Sequence, residues 1–151
     1  MIFDRTQDDV DAAVVLRREK VQAFQELSES EIETLEKGTL TINTLNRIED
    51  KQLELKNLLD SDVYFVENFE SKSWSFTDYF KQADFDRILD NLSKLKRAYF
   101  VYSTTPQVTD NNYRRYQTIN AVEHILNDLD LMIRDVKINY RQCGNAECGG
   151  E

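Results

Sequence analysis

Thr44-Leu45-Asn46-Arg47-Ile48-Glu49 and Thr118-Ile119-Asn120-Ala121-Val122-Glu123 are two versions of one phrase, and this phrase decides the fold. Threonine, asparagine and glutamate recur at the same places, two apolar positions exchange only for other apolar residues, and Ala121 stands in place of Arg47. The match continues at the same offset over three further apolar pairs: Leu55 and Leu129, Leu58 and Met132, Leu59 and Ile133. A shared start followed by a shared apolar spacing predicts one helix that the chain uses twice.

The composition is that of a small helical domain. The chain has 151 residues, of which 40% are hydrophobic and 31% charged, with only four glycines and one proline. So few turn residues disfavour a sandwich or a barrel. The predicted fold class is all-α, with four main antiparallel helices from a duplicated helix pair, a short extra helix and an aromatic-rich crossover.

The predicted boundaries follow from the position of the repeats. Residues 1–142 are expected to form a single helical domain, with approximate halves at 1–62 and 84–142. The crossover between them occupies residues 63–83, and residues 143–151 are a flexible tail rich in glycine and cysteine. The duplication gains support because Phe3-Asp4-Arg5 recurs as Phe85-Asp86-Arg87, each time before a repeated helix.

Capping patterns predict where the helices begin and end. Thr6 with Asp9, and Ser28 with Glu31, have the spacing of capping boxes, and Gly38 is expected to stop the second helix as a C′ residue. Thr39 or Thr41 caps the first repeated helix, and Asp84 caps the long helix before the second. The first helix should run to about Leu27, with these apolar residues facing inward: Val10, Val14, Val21 and Phe24.

The charge of the chain disfavours several classes of partner. A net charge of −9 argues against nucleic acid and against an anionic membrane surface, both of which need clustered lysine and arginine. No apolar run approaches the roughly 20 residues that span a bilayer. Residues 1–5 lack the basic and apolar regions of a secretion signal, so the protein is expected to start in the cytoplasm.

The paired Asn46/Glu49 and Asn120/Glu123 are the first candidate site. Residues three apart share one face of a helix, so each asparagine can act together with its glutamate. In one interpretation they form a structural clamp, in which glutamate accepts hydrogen bonds from the backbone of another segment and asparagine sets the register. In the other, the carboxylates bind a cation or act as acid and base, which requires a pocket and perturbed pKa values.

Aromatic residues crowd the crossover, and the candidate interface within it is Tyr64, Trp74, Phe76 and Tyr79. Flat rings of this kind can stack on sugars, anchor a protein interface or pack a loop onto the core. The three interpretations remain open on the sequence.

Nothing in the sequence points to a metal, a cofactor or catalysis. His124 is the single histidine and has no duplicated counterpart, which favours a surface or rim position. Cys143 and Cys148 alone do not make a structural zinc site; a small disulfide loop is one alternative, and a reduced pair is the expectation in a cytosolic product. The chain also lacks a phosphate loop, a Cys/His dyad and a nucleophile elbow, so the prediction is a non-enzyme without cofactors.

Several segments resemble a known group of proteins. The phrase at residues 45–49 is similar to a Leu-Asn-Lys/Arg-Ile-Glu helix start in tail-fibre proteins of phages that infect Gram-positive bacteria. Most of the chain resembles small proteins encoded in tail modules of phages and prophages of gut Firmicutes. The resemblance rests on these stretches: 2–6, 45–49, 87–92, 102–106 and 148–151.

The resemblance implies a virion component, a helical adaptor at a tail, baseplate or fibre, present in the host cytoplasm before assembly. Its partners would be other phage structural proteins, with a second copy of the chain as a further candidate. One alternative is a glycan-binding module for host recognition that uses Trp74 and its neighbours. Another is a small regulatory or anti-defence protein of the host cytoplasm.

Overall fold

The computed structural model describes residues 1–61, 64–99 and 101–144, with side chains up to residue 135. Every regular element in these ranges is helical, which confirms the all-α class. The helices are α1 (Gln7–Leu16), α2 (Glu29–Gly38), α3 (Ile42–Asp60), α4 (Gln82–Ala98) and α5 (Tyr116–Gly144), and a π-helical turn at Arg17–Val21 follows α1. Within the described part of the chain, no helix is both long and apolar enough to cross a membrane.

Helices α3, α4 and α5 pack against one another and share the hydrophobic core. Each presents the apolar stripe that its spacing predicts, since residues three and four apart lie on one helix face. The buried stripe of α3 is Leu45, Ile48, Leu55 and Leu59. Phe85, Ile88, Leu92 and Leu95 meet it from α4, and Ile119, Val122, Ile125, Leu126, Leu129 and Ile133 from α5.

The predicted caps are confirmed at three helices. Thr6 and Ser28 accept hydrogen bonds from the backbone N–H groups of Asp9 and Glu31, which close the two capping boxes. Thr41, and not Thr39, caps α3. In α4 the cap prediction is one turn late: Asp84 lies inside the helix and accepts the backbone N–H of Lys81 at 3.0 Å.

The prediction for the first helix is wrong in both length and facing. It ends at Leu16, and the π-helical turn with its i to i+5 bond from Gln22 N–H to Arg17 O replaces the expected continuation. Of the four residues expected to face inward, Val10 is half-buried, whereas Val14, Val21 and Phe24 are exposed, as is Ile32 of α2. The reason is that α1 packs on α2 through small residues and leaves its larger side chains outside.

Gly38 acts through its size and not as a helix stop. It is the last residue of α2 and no described glycine has a positive φ, so the left-handed C′ conformation is not used. A Cβ atom at this position would lie 2.1 Å from the carbonyl oxygen of Asp9 and 2.4 Å from the Cβ of Ala13. Glycine therefore lets α2 approach the backbone of α1 closely.

The end of the chain differs from the predicted tail at its first residues. Helix α5 continues through Cys143 and Gly144, where a flexible segment was expected. The reduced state expected for Cys143 and Cys148, and the rest of the predicted tail, lie outside the described residues and side chains.

Candidate functional site

The segment between α3 and α4 is held by the first Asn-x-x-Glu pair. Asn46 and Glu49 lie one turn apart on α3, on the face that this segment crosses. The side-chain amide of Asn46 donates to the carbonyl of Trp74 at 3.1 Å, and the N–H of Trp74 donates to Asn46 Oδ1 at 2.7 Å. Asparagine thus satisfies both backbone groups of one residue, as a neighbouring β-strand would.

Glu49 is 1% exposed and receives donors from three directions. The backbone N–H of Lys72 and the indole N–H of Trp74 each donate to it at 3.3 Å. Arg87 of α4 completes the set with a bidentate pair, in which Nη1 lies 3.0 Å from Oε2 and Nη2 contacts Oε1. The hydrogen bond to Glu49 is the main reason why the pKa of Arg87 is raised.

Helix α4 binds the same segment from its other side. The Arg87 guanidinium and the Asn91 amide both donate to the carbonyl of Glu70 at 2.7 Å. Lys94 donates to the carbonyl of Asn68, a residue in the left-handed region with φ of 53°. The backbone of this irregular segment is therefore satisfied by side chains of two helices, where no ladder of backbone bonds is available.

The second pair, Asn120 and Glu123, binds the backbone of the N-terminal segment in the same way. The Asn120 amide donates to the carbonyl of Arg5 at 2.9 Å, and the backbone N–H of Ile2 donates to Glu123 Oε1 at 3.4 Å. Glu123 is fully buried, and Arg5 donates both to it and, at 3.2 Å, to Asn120 Oδ1. Each repeated phrase therefore holds one segment without regular structure against its helix.

The two sites differ in charge. Glu49 is paired with Arg87, whereas Glu123 is paired with Arg5 and also with Arg47 of α3 at 2.9 Å. Arg47 belongs to the first phrase but pairs with Glu123 of the second site. The corresponding residue of the second phrase is Ala121, which has no charge to pair with Glu49. Through this ion pair with Glu123, Arg47 links α3 to α5.

This arrangement suits structure better than acid–base chemistry. Both carboxylates are buried and receive hydrogen bonds from cations and N–H donors, which leaves them no open side toward a substrate. No group of three or more potential metal-ligating side chains occurs among the described residues. The contacts have the form of the predicted clamp, whose energetic role remains a prediction.

The candidate interface residues divide into two classes. Trp74 is 5% exposed, its ring contacts Phe80 and its indole N–H bonds Glu49, so it is not available as a surface platform. Phe76 and Tyr79 are 96% and 85% exposed, and Tyr64 is half-exposed with an edge contact to Tyr99. Of the four predicted residues, Trp74 belongs to the core and the other three remain at the surface.

His124 is partly exposed, as expected for a rim histidine, but its aromatic neighbour was not predicted from the sequence. Its imidazole stacks on Phe3 with ring centroids 4.7 Å apart, and its Nε2 lies 3.6 Å from Asp128. The arginines of the clamps were also missed, although one signal pointed to them. Arg5 and Arg87 are the last residues of the two Phe-Asp-Arg triplets.

Comparison with known proteins identifies no relative of this chain. No protein-family model matches the chain, and neither a curated protein nor a solved structure shows significant similarity to it.

Proposed function

We propose that this protein is a non-enzymatic helical component of a phage tail, an adaptor at a tail, baseplate or fibre. The observation that carries the proposal is the exposure of large aromatic side chains on an acidic surface. Phe24, Phe76 and Tyr79 are all more than four-fifths exposed. Aromatic residues dominate the binding energy of protein interfaces, and soluble monomers seldom expose several of them without a partner.

The buried polar groups support a structural role in place of a catalytic one. Glu49 and Glu123 are ion-paired and hydrogen-bonded, and Asp128 accepts a hydrogen bond from the hydroxyl of Thr105. A catalytic acid or base needs access to a substrate. The resemblance to phage tail-module proteins supplies the biological setting of the proposal.

We further propose that the fold arose by duplication of a helix pair, with the aromatic-rich segment as the crossover. The equivalent polar contacts of the two Asn-x-x-Glu pairs support this origin. The ion pairs cross between the halves, since Arg5 of the first half binds Glu123 and Arg87 of the second binds Glu49. Crossed pairs of this kind would keep the two halves from separating.

Mass spectrometry of purified particles tests the role. The expected result is the protein at a fixed stoichiometry to known tail components. Its absence from particles made by a producing host would contradict the virion role and favour the cytoplasmic regulatory alternative. Replacing Phe76 and Tyr79 with serine should reduce incorporation of the protein into particles. The matched control is Leu131→Ser, at a half-exposed position on α5, which should leave incorporation unchanged.

The glycan-binding alternative now depends on Phe76 and Tyr79, because Trp74 is buried. Binding to a cell-wall glycan array that Tyr79→Ala abolishes, with the fold intact, would favour it over the adaptor role.

A further inference from the structure

The α1–α2 hairpin, residues 7–38, packs mainly on itself. Ala13 is the only buried residue of α1 and Gly38 the only one of α2, and these two lie against each other. No residue of the hairpin belongs to the hydrophobic core or to the partly buried side chains around it. Among the described residues, its polar contacts with the rest of the chain go only to the N-terminal segment, residues 1–6, and to residues 39–43.

Residues 1–38 therefore form an arm that a short connection joins to α3. The backbone of Thr39 has φ of −130° and ψ of 158°, and that of Thr41 has φ of −94° and ψ of 166°. Both conformations are extended, so rotation between these two residues reorients the arm without breaking a helical hydrogen bond. Apart from this connection, the polar contacts that hold the arm to the bundle come from its N-terminal segment.

That segment binds one face of α5, the second clamp, which consists of Asn120 and Glu123. The Asn120 amide donates to the carbonyl of Arg5, and the backbone N–H of Ile2 donates to Glu123. The Arg5 side chain is buried and donates to both clamp residues. Phe3 adds its stack on His124, with the two rings only 9° from parallel. The clamp thus recognises backbone groups, an aromatic ring and one arginine.

The second clamp keeps its charge balance when the segment leaves. Arg47 of α3 also pairs with Glu123, at 2.9 Å, so the buried carboxylate retains a counter-charge without Arg5. The burial of Arg5 also has a cost, because its Nη2 has no hydrogen-bond partner among the described residues. Both features favour a contact that can be broken and made again.

We propose that the second clamp is an exchangeable binding site for an arginine-bearing segment, and that the arm of a second copy binds there in place of the chain's own. The chemistry of the occupant is that of the segment already bound, so the contacts made between copies would be the same as those made within one. Two copies can exchange arms reciprocally around a two-fold axis, and the assembly then closes at a dimer. This inference is independent of the proposed place in a phage tail.

A peptide of residues 1–6, labelled at its blocked carboxyl end, tests binding between separate molecules. Its partner is the full chain with Arg5→Ala, in which the chain's own segment is weakened and the clamp is intact. Fluorescence anisotropy should show saturable binding, and the wild type should bind more weakly because its own segment competes at a high effective concentration. The peptide with Arg5→Gln should bind at least about tenfold more weakly, since it lacks the charge-assisted hydrogen bonds.

A second substitution in the same chain provides the control for the site. Adding Asn120→Ala to Arg5→Ala should lower the affinity for the peptide, whereas adding Glu33→Ala, at an exposed position on α2, should leave it unchanged. Binding that does not saturate, or that is equal for the two peptides, would overturn the proposal.

Sedimentation equilibrium of mixed full-chain variants in reducing buffer tests the second copy. Arg5→Ala lacks an intact segment and Asn120→Ala lacks an intact clamp, so a mixed pair restores one complete site. The mixture should contain more dimer than either variant alone at the same total concentration. The matched control mixes Arg5→Ala with Arg5→Gln, which restores no site and should show no gain.

Circular dichroism checks the fold of each variant. If Arg5→Ala unfolds, Phe3→Ser takes its place by removing the stack on His124, and Asn120→Ser likewise replaces Asn120→Ala. A restoring mixture with no more dimer than its components would overturn exchange between copies. So would an equal gain in the mixture of the two Arg5 variants.

Discussion

Arg87 and Glu49 form a bidentate ion pair between α4 and α3, 38 positions apart in the chain. The pair lies directly beneath the segment that both helices hold, since the same guanidinium also binds the carbonyl of Glu70. One arginine therefore satisfies a buried carboxylate and part of the backbone that crosses it. Loss of either charge leaves the other partner, and the segment, without compensation.

Glu49→Gln should lower the free energy of unfolding by about 3 kcal/mol, because the guanidinium of Arg87, which is largely buried, loses its counter-charge. Urea unfolding followed by circular dichroism measures the loss. The control is Glu54→Gln on the same helix, which removes two partly exposed surface ion pairs, with Lys51 and Arg134, and should cost less than about 0.5 kcal/mol. Equal effects of the two variants would contradict the clamp.

Asn46→Ala and Asn120→Ala should each release a different segment. The first removes both hydrogen bonds to the backbone of Trp74, and the second removes the bond to the carbonyl of Arg5. Each unpaired buried backbone group costs about 1–3 kcal/mol. Limited proteolysis should therefore cut the connection between α3 and α4 faster in the first variant and the N-terminal segment faster in the second.

The fluorescence of Trp74 gives an independent measure of whether Asn46→Ala releases the segment between α3 and α4. It is the only tryptophan of the chain and is buried, so acrylamide should quench it poorly in the wild type. Quenching should rise in Asn46→Ala and stay unchanged in Asn120→Ala. Asn57→Ala, at an exposed position on α3, controls for substitution in that helix. If both clamp variants raised quenching equally, the two clamps would not act on separate segments.

The hairpin should lose one stabilising contact in acid. The pKa of Glu31 is lowered from 4.5 to about 2, first by its hydrogen bond with Lys20 and then by the N–H of Ser28. A depressed pKa contributes stability above the unfolded value, and that contribution disappears as the pH falls through the folded value. The window for Glu31 therefore extends from about pH 4.5 down to about pH 2.

Comparison of the wild type with Glu31→Gln across this range isolates the effect. The wild type should melt at the higher temperature at neutral pH, and the difference should shrink as the pH falls through about 2 and vanish below it, where Glu31 also becomes neutral. Glu33→Gln, an exposed position on the same helix, should show little difference at any pH. A gap for Glu31→Gln that persisted in strong acid would rule out the charge as its cause.

Gly38→Ala should destabilise the hairpin although alanine favours helix. The added methyl group would meet the backbone of Asp9 and the side chain of Ala13, so α1 and α2 must move apart. Overpacking of this kind costs about 1–3 kcal/mol, more than the gain of up to about 1 kcal/mol in helix propensity. Hydrogen exchange in α1 measures the loosening, with Glu33→Ala as control; slower exchange in Gly38→Ala would contradict close packing.

Local spacing in the sequence determined the helices and much of the core. The caps at Thr6, Ser28 and Thr41 follow from polar side chains next to the N–H groups that they satisfy. The buried stripes of α3, α4 and α5 follow from apolar residues three and four apart. The repeated Asn-x-x-Glu phrase likewise predicted two polar positions on one face of a helix.

Tertiary structure alone decided what meets those faces. Spacing places Glu49 and Asn46 side by side but carries no information that Arg87 and the backbone of Trp74 lie opposite them. Apolar spacing also predicted that Phe24 faces the core. In the structure, the small residues Ala13 and Gly38 bring α2 against a different side of α1, and Phe24 remains in solvent. Periodicity records which residues share a surface, whereas the partner of that surface depends on contacts between distant parts of the chain.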